Sequence, residues 1–147
     1  MFTREDIINL SGRMGCNQDL LNKGMVVTPH GNVFCLATLT GGYRDDVYFD
    51  NGIESPKEVR YFGVNSLRAS HPFDMNDYEA RKNIAVKKTD GKLKFVYFFE
   101  RTDAYSDEYF FHGRYKYVSH DFIANTDPKR INDVLFHLIL IDTPILK

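Results

Sequence analysis

The chain has 147 residues, of which 27% are charged, 43% hydrophobic and 14% aromatic, and its formal net charge is -1. This length fits a single domain over residues 1–147, with enough core to fold without a metal or disulfides. No apolar run is long enough for a membrane span, and no apolar segment follows Met1 as in a secretory signal. With only Cys16 and Cys35, we expect a reduced, cytoplasmic protein. The near-zero charge argues against a strongly cationic nucleic-acid coat protein but allows a local basic face.

Two helices are predicted along the chain. Thr3 and Asp6 form an N-cap pattern before an apolar stretch, so the first helix begins near Thr3. The second covers about residues 77–88, where side chains recur at helical spacing after the candidate caps Asp74 and Asn76.

Strands are predicted where Val, Ile, Phe and Tyr are dense. Gly113 interrupts one of these runs and predicts a bulge or kink there. Cys35 and His137 lie inside apolar runs, so we expect core packing for the thiol and a structural role for the imidazole. The predicted strands cover residues 32–40, 59–62, 94–100, 109–118 and 134–141.

This order of elements predicts an α+β fold built on a curled antiparallel sheet or small barrel. The polar, turn-rich stretches 51–57 and 120–130 are expected to be surface loops.

Motifs of known enzymes are absent from the sequence. It has no phosphate-binding glycine loop, no HExxH, no GxSxG, and no HxE followed by CxxC. The five histidines lack metal-ligand spacing. We therefore expect a binding domain without catalytic residues, cofactor or metal. A small metal-dependent nuclease using Asp45, Asp46, Asp50 and Glu100 is the rival hypothesis.

The most informative stretch is LTGGYRDDVYFDNGIESPKEVRYFG, residues 39–63. Two aromatic positions lie on either side of an acid, and the neighbouring glycines allow the backbone to turn sharply. This arrangement is typical of a slot in which a flat ring stacks between aromatic side chains and donates a hydrogen bond to the acid. Because an ionised Asp46 only accepts hydrogen bonds, it would receive the amino group of cytosine and repel the O4 of thymine. A plain strand-loop-strand connection with solvated acids is the competing interpretation. The candidate pocket residues are Gly41, Gly42, Tyr43, Asp46, Tyr61, Phe62 and Gly63.

Five motifs in this order resemble those of the SRA (SET- and RING-associated, or YDG) domain. They are GGYRDDV, YFG at 61–63, NIA at 83–85, the apolar run 95–99 and FHGRYKYV at 111–118. The family's Tyr-Asp-Gly is Phe111, His112 and Gly113 here, and Phe62 follows Tyr61 where the family has a smaller residue. The resemblance implies a crescent-shaped barrel of the PUA superfamily that flips a modified cytosine out of DNA.

The resemblance also implies roles for the pocket residues. Tyr43 and Tyr61 would stack on the two faces of the base and Asp46 would accept its amine, while backbone amides near the glycines read the remaining edge. The implied partners are DNA with 5-methyl- or 5-hydroxymethylcytosine and a nuclease or helicase effector of prokaryotic phage defence. Two further hypotheses are a PUA-like reader of modified RNA and a protein-interaction domain that lacks the pocket.

A DNA reader also needs cations that face phosphate. A solvated helix face is the competing explanation for the lysines between residues 81 and 94. Arg68 or His71, in the stretch 67–72, is the candidate to fill the gap left by a flipped base. The predicted backbone or gap-filling residues are Arg44, Arg60, Arg68, His71, Arg81, Lys82, Lys87, Lys88 and Arg114.

Overall fold

The computed structural model describes residues 1–16, 25–38, 57–63, 80–101, 105–124 and 132–146. Its elements are β1 (Phe2–Thr3), α1 (Arg4–Arg13), β2 (Met25–Val27), β3 (Val33–Thr38), β4 (Glu58–Phe62), α2 (Ala80–Lys87), a 3-10 helix (Lys88–Asp90), β5 (Val96–Arg101), β6 (Glu108–Ala124) and β7 (Asn132–Asp142). The strands form one seven-stranded sheet with the order β2-β3-β5-β6-β7-β4, and β1 pairs with β6.

The sheet is mixed, which corrects the prediction of an antiparallel one. β3 and β5 run parallel, while the other pairs run antiparallel. The connection between β3 and β5 contains β4 and α2, so it is long enough for the crossover that a parallel pair requires. The α+β class is confirmed. In the described part of the chain, the sheet does not close into a complete barrel.

One ring contact demonstrates that the sheet is curled. Tyr61 on β4 and Phe98 on β5 lie with their ring centroids 5.7 Å apart. In the sheet order β6 and β7 separate these two strands. Because neighbouring strands lie about 4.8 Å apart, a flat sheet would hold β4 and β5 roughly 14 Å apart. The half formed by β7 and β4 therefore folds back over β3 and β5, as the sequence predicted.

Both faces of the central strands are buried, which explains why their sequences are nearly continuous apolar runs. On one face, Ile7 of α1 packs on side chains that include Phe34, Tyr97 and Phe99. On the other face, Val86 of α2 packs inside the curl. The inner cluster also contains Cys35, Tyr61, Val96, Phe98, Tyr115, Val134, Phe136 and Leu138. Cys35 is fully buried, as predicted.

Helix α1 begins as predicted. The Oγ1 of Thr3 accepts the backbone N–H of Asp6 at 3.1 Å, and the Oδ2 of Asp6 accepts the N–H of Thr3 at 2.9 Å. This capping box satisfies two backbone donors at the start of the helix. Within the described residues, neither helix is long and apolar enough to cross a membrane.

Strand β6 corrects another prediction. Residues 120–124, expected in a surface loop, continue β6 and pair with β7, for example His120 with Phe136. Only the first two of these five residues, His120 and Asp121, are polar, and β7 supplies the hydrogen-bonding partner for the whole stretch. The bulge predicted at Gly113 is present: Phe98 pairs with Gly113 and Phe99 with Phe111, so His112 is the extra residue. The short strands β1 and β2 were missed.

Candidate nucleic-acid interface

The structure describes part of the predicted pocket. Tyr61 and Gly63 are described, and Phe62 is placed as the last residue of β4, opposite Leu135. The predicted residues that lie outside the described part of the chain are Gly41, Gly42, Tyr43, Arg44, Asp46, Arg68 and His71.

Tyr61 has a fixed place inside the curled sheet. It is 5% exposed and pairs in register with Phe136 of β7. Its ring meets that of Phe98 edge to face, with an interplanar angle of 89°. This geometry suits aromatic pairs and fixes the ring plane. The second predicted stacking ring is therefore held in one orientation by the core.

Gly63 lies where the end of β4 meets helix α2. Its N–H donates to the carbonyl of Val134 at 2.8 Å. A Cβ at this position would lie 2.5 Å from the Oδ1 of Asn83 and 2.6 Å from the ring of Phe136. Asn83 is fully buried. The fold thus brings together the YFG and NIA motifs, which are twenty positions apart in sequence (63 and 83).

A buried acid-imidazole pair lies across β5 and β6. The Oε2 of Glu100 is 3.1 Å from the Nε2 of His112, and their side chains are 11% and 3% exposed. His112 also packs against the ring of Phe98, with centroids 5.9 Å apart. Burial and the nearby charge of Glu100 raise the pKa of Tyr115. Sequence reasoning missed this pair, although strand alternation places Glu100 on the same face as Phe98.

The predicted DNA-backbone cations occupy different surroundings. Lys82 donates to the carbonyl of Met25 at 2.9 Å, which ties α2 to strand β2. Arg60 is exposed on β4 and, by strand alternation, points away from the side occupied by Tyr61. Lys87 and Lys88 lie at the end of α2 and the start of the 3-10 helix, with Lys88 exposed. Arg81 lies one residue after the start of α2.

Arg114 is engaged by groups on its own side of the sheet. Its Nε donates to the Oδ1 of Asp142 at 2.7 Å, and its Nη2 donates to Oδ2 of the same carboxylate. The guanidinium also lies 4.1 Å from the centre of the Phe95 ring. Hydrogen bonding to Arg114 lowers the pKa of Asp142, and the same bonds raise the pKa of Arg114. A two-pronged arginine-carboxylate pair fixes the guanidinium in one orientation.

Two further predicted residues have described surroundings. His137 is hydrogen-bonded through its Nε2 to the Oδ2 of Asp121 at 2.7 Å. The imidazole therefore has a protein partner on the neighbouring strand, as expected of a structural histidine. Glu100, which the nuclease hypothesis needs as a metal ligand, faces the imidazole of His112 instead. Among the residues that the structure describes, no three His, Cys, Asp or Glu side chains form a candidate metal site.

Comparison with known proteins identifies the fold. No family model matches the sequence, and no curated protein matches it. Among solved structures, the SUVH5 SRA domain bound to hemimethylated CG DNA aligns with a TM-score of 0.61 at 17% identity, covering 98% of this chain and 88% of that one. The DNA recognition domain of the cytosine modification-dependent restriction endonuclease LpnPI aligns with a TM-score of 0.56 at 15% identity, covering 81% and 60%.

The MspJI restriction endonuclease, solved with a 27-mer oligonucleotide, aligns with a TM-score of 0.55 at 13% identity. The match covers 80% of this chain but 31% of the MspJI chain, so this chain corresponds to about a third of that enzyme. All three alignments lead to the same class of fold. The chain is an SRA-like domain in its fold, as the motifs predicted.

Proposed function

We propose that residues 1–147 are one DNA-binding domain that flips a modified cytosine, 5-methyl- or 5-hydroxymethylcytosine, out of the duplex and binds it. The observation that carries this proposal is the alignment, over 98% of the chain, with an SRA domain bound to hemimethylated DNA. A similar fold alone does not assign a function, so the pocket residues carry the chemical argument.

In this proposal Tyr43 and Tyr61 stack on the two faces of the base and Asp46 accepts its amino group. Phe62 and the amides near Gly41, Gly42 and Gly63 complete the pocket. The core contact of Tyr61 with Phe98 supports this role, because a ring already held in place loses little conformational freedom on binding. Stacking contributes about 1–3 kcal/mol per base, which offsets much of the few kcal/mol that extruding a base costs.

The predicted cations would contact the DNA backbone. Among the cations that the structure describes, Lys87 and Lys88 are the main candidates for phosphate contacts. Lys82 and Arg114 are weaker candidates because their side chains already bind protein groups. Arg44, Arg60, Arg68 and Arg81 are proposed as further backbone contacts, and Arg68 or His71 as the side chain that fills the gap in the duplex.

We further propose that the domain targets an effector and is not itself a nuclease. LpnPI and MspJI are restriction endonucleases that contain a region similar to this chain, which supports a modification-dependent restriction system in a prokaryotic cytoplasm. The nuclease or helicase would lie on a partner or on a longer chain.

Fluorescence anisotropy at fixed salt tests the proposal. The probes are matched duplexes with cytosine, 5-methylcytosine or 5-hydroxymethylcytosine, together with a matched RNA. We expect tighter binding to a modified duplex, and loss of that difference in Asp46→Ala but not in Asp45→Ala, which removes the same charge one position earlier. Equal binding to all three duplexes would contradict the proposal, and preference for the RNA would favour the RNA reader. Magnesium-dependent cleavage lost in Asp46→Ala with binding retained would favour the nuclease.

A further inference from the structure

The inner face of the sheet carries a polar pair where an apolar one would suffice. Glu100 and His112 are both nearly buried and lie 3.1 Å apart. Removing a carboxylate from water is costly, and well-packed apolar side chains in place of such a pair are often neutral or stabilising. Folding alone therefore gives little reason for this pair.

The bulge in β6 is what directs His112 to this face. His112 is the extra residue opposite the Phe98–Phe99 step. An extra residue in a strand reorients its side chain, and here the imidazole meets both Glu100 and the rings of Phe98 and Phe110. The residue after His112 must be a glycine, because Gly113 has a positive φ of 138° and a Cβ there would lie 2.6 Å from the carbonyl oxygen of Asp142.

The pair also lies close to the described part of the pocket. Phe98 contacts Tyr61 on one side, with centroids 5.7 Å apart, and His112 on another, at 5.9 Å. Thr38, the last described residue before the GGYRDDV motif, pairs with Arg101, and Ala37 pairs with Glu100. Two rings in contact, Phe98 and His112, therefore connect Tyr61 to the carboxylate of Glu100, which lies on a strand beside the one that leads into the motif.

The chemistry of the carboxylate distinguishes the two candidate bases. An ionised Glu100 is an acceptor with two oxygens, and His112 contacts Oε2. The methyl group of 5-methylcytosine has no proton to donate, whereas the hydroxyl of 5-hydroxymethylcytosine does. A site with a buried acceptor discriminates strongly against a ligand that lacks the matching donor.

We propose, as an extension of the proposed function, that Glu100 determines the specificity for the substituent at position 5 of the base. Its carboxylate accepts a hydrogen bond from a hydroxymethyl group, and His112 positions that carboxylate. The ligand class is thus a cytosine with a hydroxylated 5-substituent rather than 5-methylcytosine.

The test measures Kd by anisotropy for duplexes with cytosine, 5-methylcytosine and 5-hydroxymethylcytosine at one salt concentration. A hydrogen bond to a charged group predicts that the wild-type protein prefers the hydroxymethyl duplex over the methyl duplex by about tenfold or more. Glu100→Gln should reduce this ratio. The double variant Glu100→Leu with His112→Leu should remove it and leave the Kd for 5-methylcytosine within about twofold of wild type.

Glu108→Gln, which removes an exposed carboxylate from β6, is the matched control and should keep the full ratio. Thermal unfolding of each variant separates folding from recognition, since a structural role alone would change all three Kd values together. Equal wild-type affinity for the methyl and hydroxymethyl duplexes, or a ratio unchanged in the double variant, would overturn the inference. Equal affinity for all three duplexes would instead reject the proposed function.

Discussion

Gly63 and Asn83 meet so closely that a Cβ on Gly63 would lie 2.5 Å from the Oδ1 of Asn83. Lys82, the neighbour of Asn83, donates to the carbonyl of Met25 on β2. Helix α2 therefore contacts both strands at the two ends of the sheet order, β2 through Lys82 and the end of β4 through Asn83. The helix bridges the open side of the curled sheet, next to the position of Tyr61.

The first prediction concerns the close contact between Gly63 and Asn83. Gly63→Ala should destabilise the protein by about 1–3 kcal/mol, because Asn83, Phe136 and Val134 all lie within 2.7 Å of the added methyl group. Urea unfolding measures the change. The control is Gly12→Ala in helix α1, where nothing lies within 4 Å of the added Cβ and alanine should be stabilising by about 0.5–1 kcal/mol. Similar effects of the two substitutions would contradict the packing argument.

The second prediction concerns Lys116. Its Nζ donates to the carbonyls of Thr89, Gly91 and Lys94 at 3.2, 2.6 and 3.1 Å. Lys116→Met keeps the length of the side chain but leaves these carbonyls without the ammonium, and we expect a loss of about 2–3 kcal/mol in the free energy of unfolding. Lys92→Met, which changes an exposed lysine between Gly91 and Lys94, should have an effect within about 0.5 kcal/mol. A small effect at Lys116 would mean that water replaces the ammonium there.

The third prediction is a pH dependence from Asp142. Arg114 lowers the pKa of this carboxyl from its ordinary value of 3.8. The folded-state pKa is thus below the unfolded one, so the stabilisation is present above about pH 4 and is lost as the pH falls through the folded-state pKa. Because Asp142 is 43% exposed, solvent screening limits the effect to about 1 kcal/mol or less.

Urea unfolding at pH 7 and pH 3 tests the assignment to Asp142. Asp142→Asn should lose less stability on acidification than the wild-type protein. Glu108→Gln, which removes an exposed carboxylate from β6, should behave as the wild type does. The assignment is wrong if the wild-type protein and Asp142→Asn respond equally to acid.

The fourth prediction concerns the salt dependence of DNA binding. If Lys87 and Lys88 each contact a phosphate, Lys87→Ala and Lys88→Ala should each reduce the slope of log K against log salt by about 0.9. Their effect on the ratio between modified and unmodified duplexes should be small, because phosphate contacts carry no base information. Arg13→Ala, which removes an exposed cation from helix α1 on the other face of the sheet, is the control. An unchanged slope in both test variants would place the DNA elsewhere on the surface.

Much of the fold could be predicted because local patterns agree with the final structure. The capping box at Thr3, the five longer strands and the bulge at Gly113 all depend on neighbouring residues. The parallel pairing of β3 with β5 could not be predicted, because it depends on how a long connection crosses the sheet. β1 and β2 have two and three residues and give no periodic signal.

The site was predicted less completely than the fold. Tyr61 and Gly63 were predicted as pocket residues from their motif, and the structure adds the contacts that fix their positions, while their role in binding a base stays a prediction. The Glu100–His112 pair was missed because it depends on the bulge, which turns an imidazole toward a carboxylate twelve positions away in sequence. Arg114 was predicted as a phosphate ligand, but a sequence cannot show that Asp142, from the distant end of the chain, binds its guanidinium.

The pairing of β4 with β7 has a consequence for how the protein is made. Tyr61 of β4 pairs with Phe136, 75 positions later in the chain, and the antiparallel ladder runs from Glu58–Ile139 to Phe62–Leu135. During translation, β4 emerges from the ribosome long before its hydrogen-bonding partner is synthesised. Strand β4 therefore stays unpaired and exposed until β7 has been synthesised. Its pairing with β7 is a late step in folding because the two strands are far apart in sequence. A nascent chain that stalls before β7 would present Tyr61 to chaperones or to other nascent chains rather than to a flipped base.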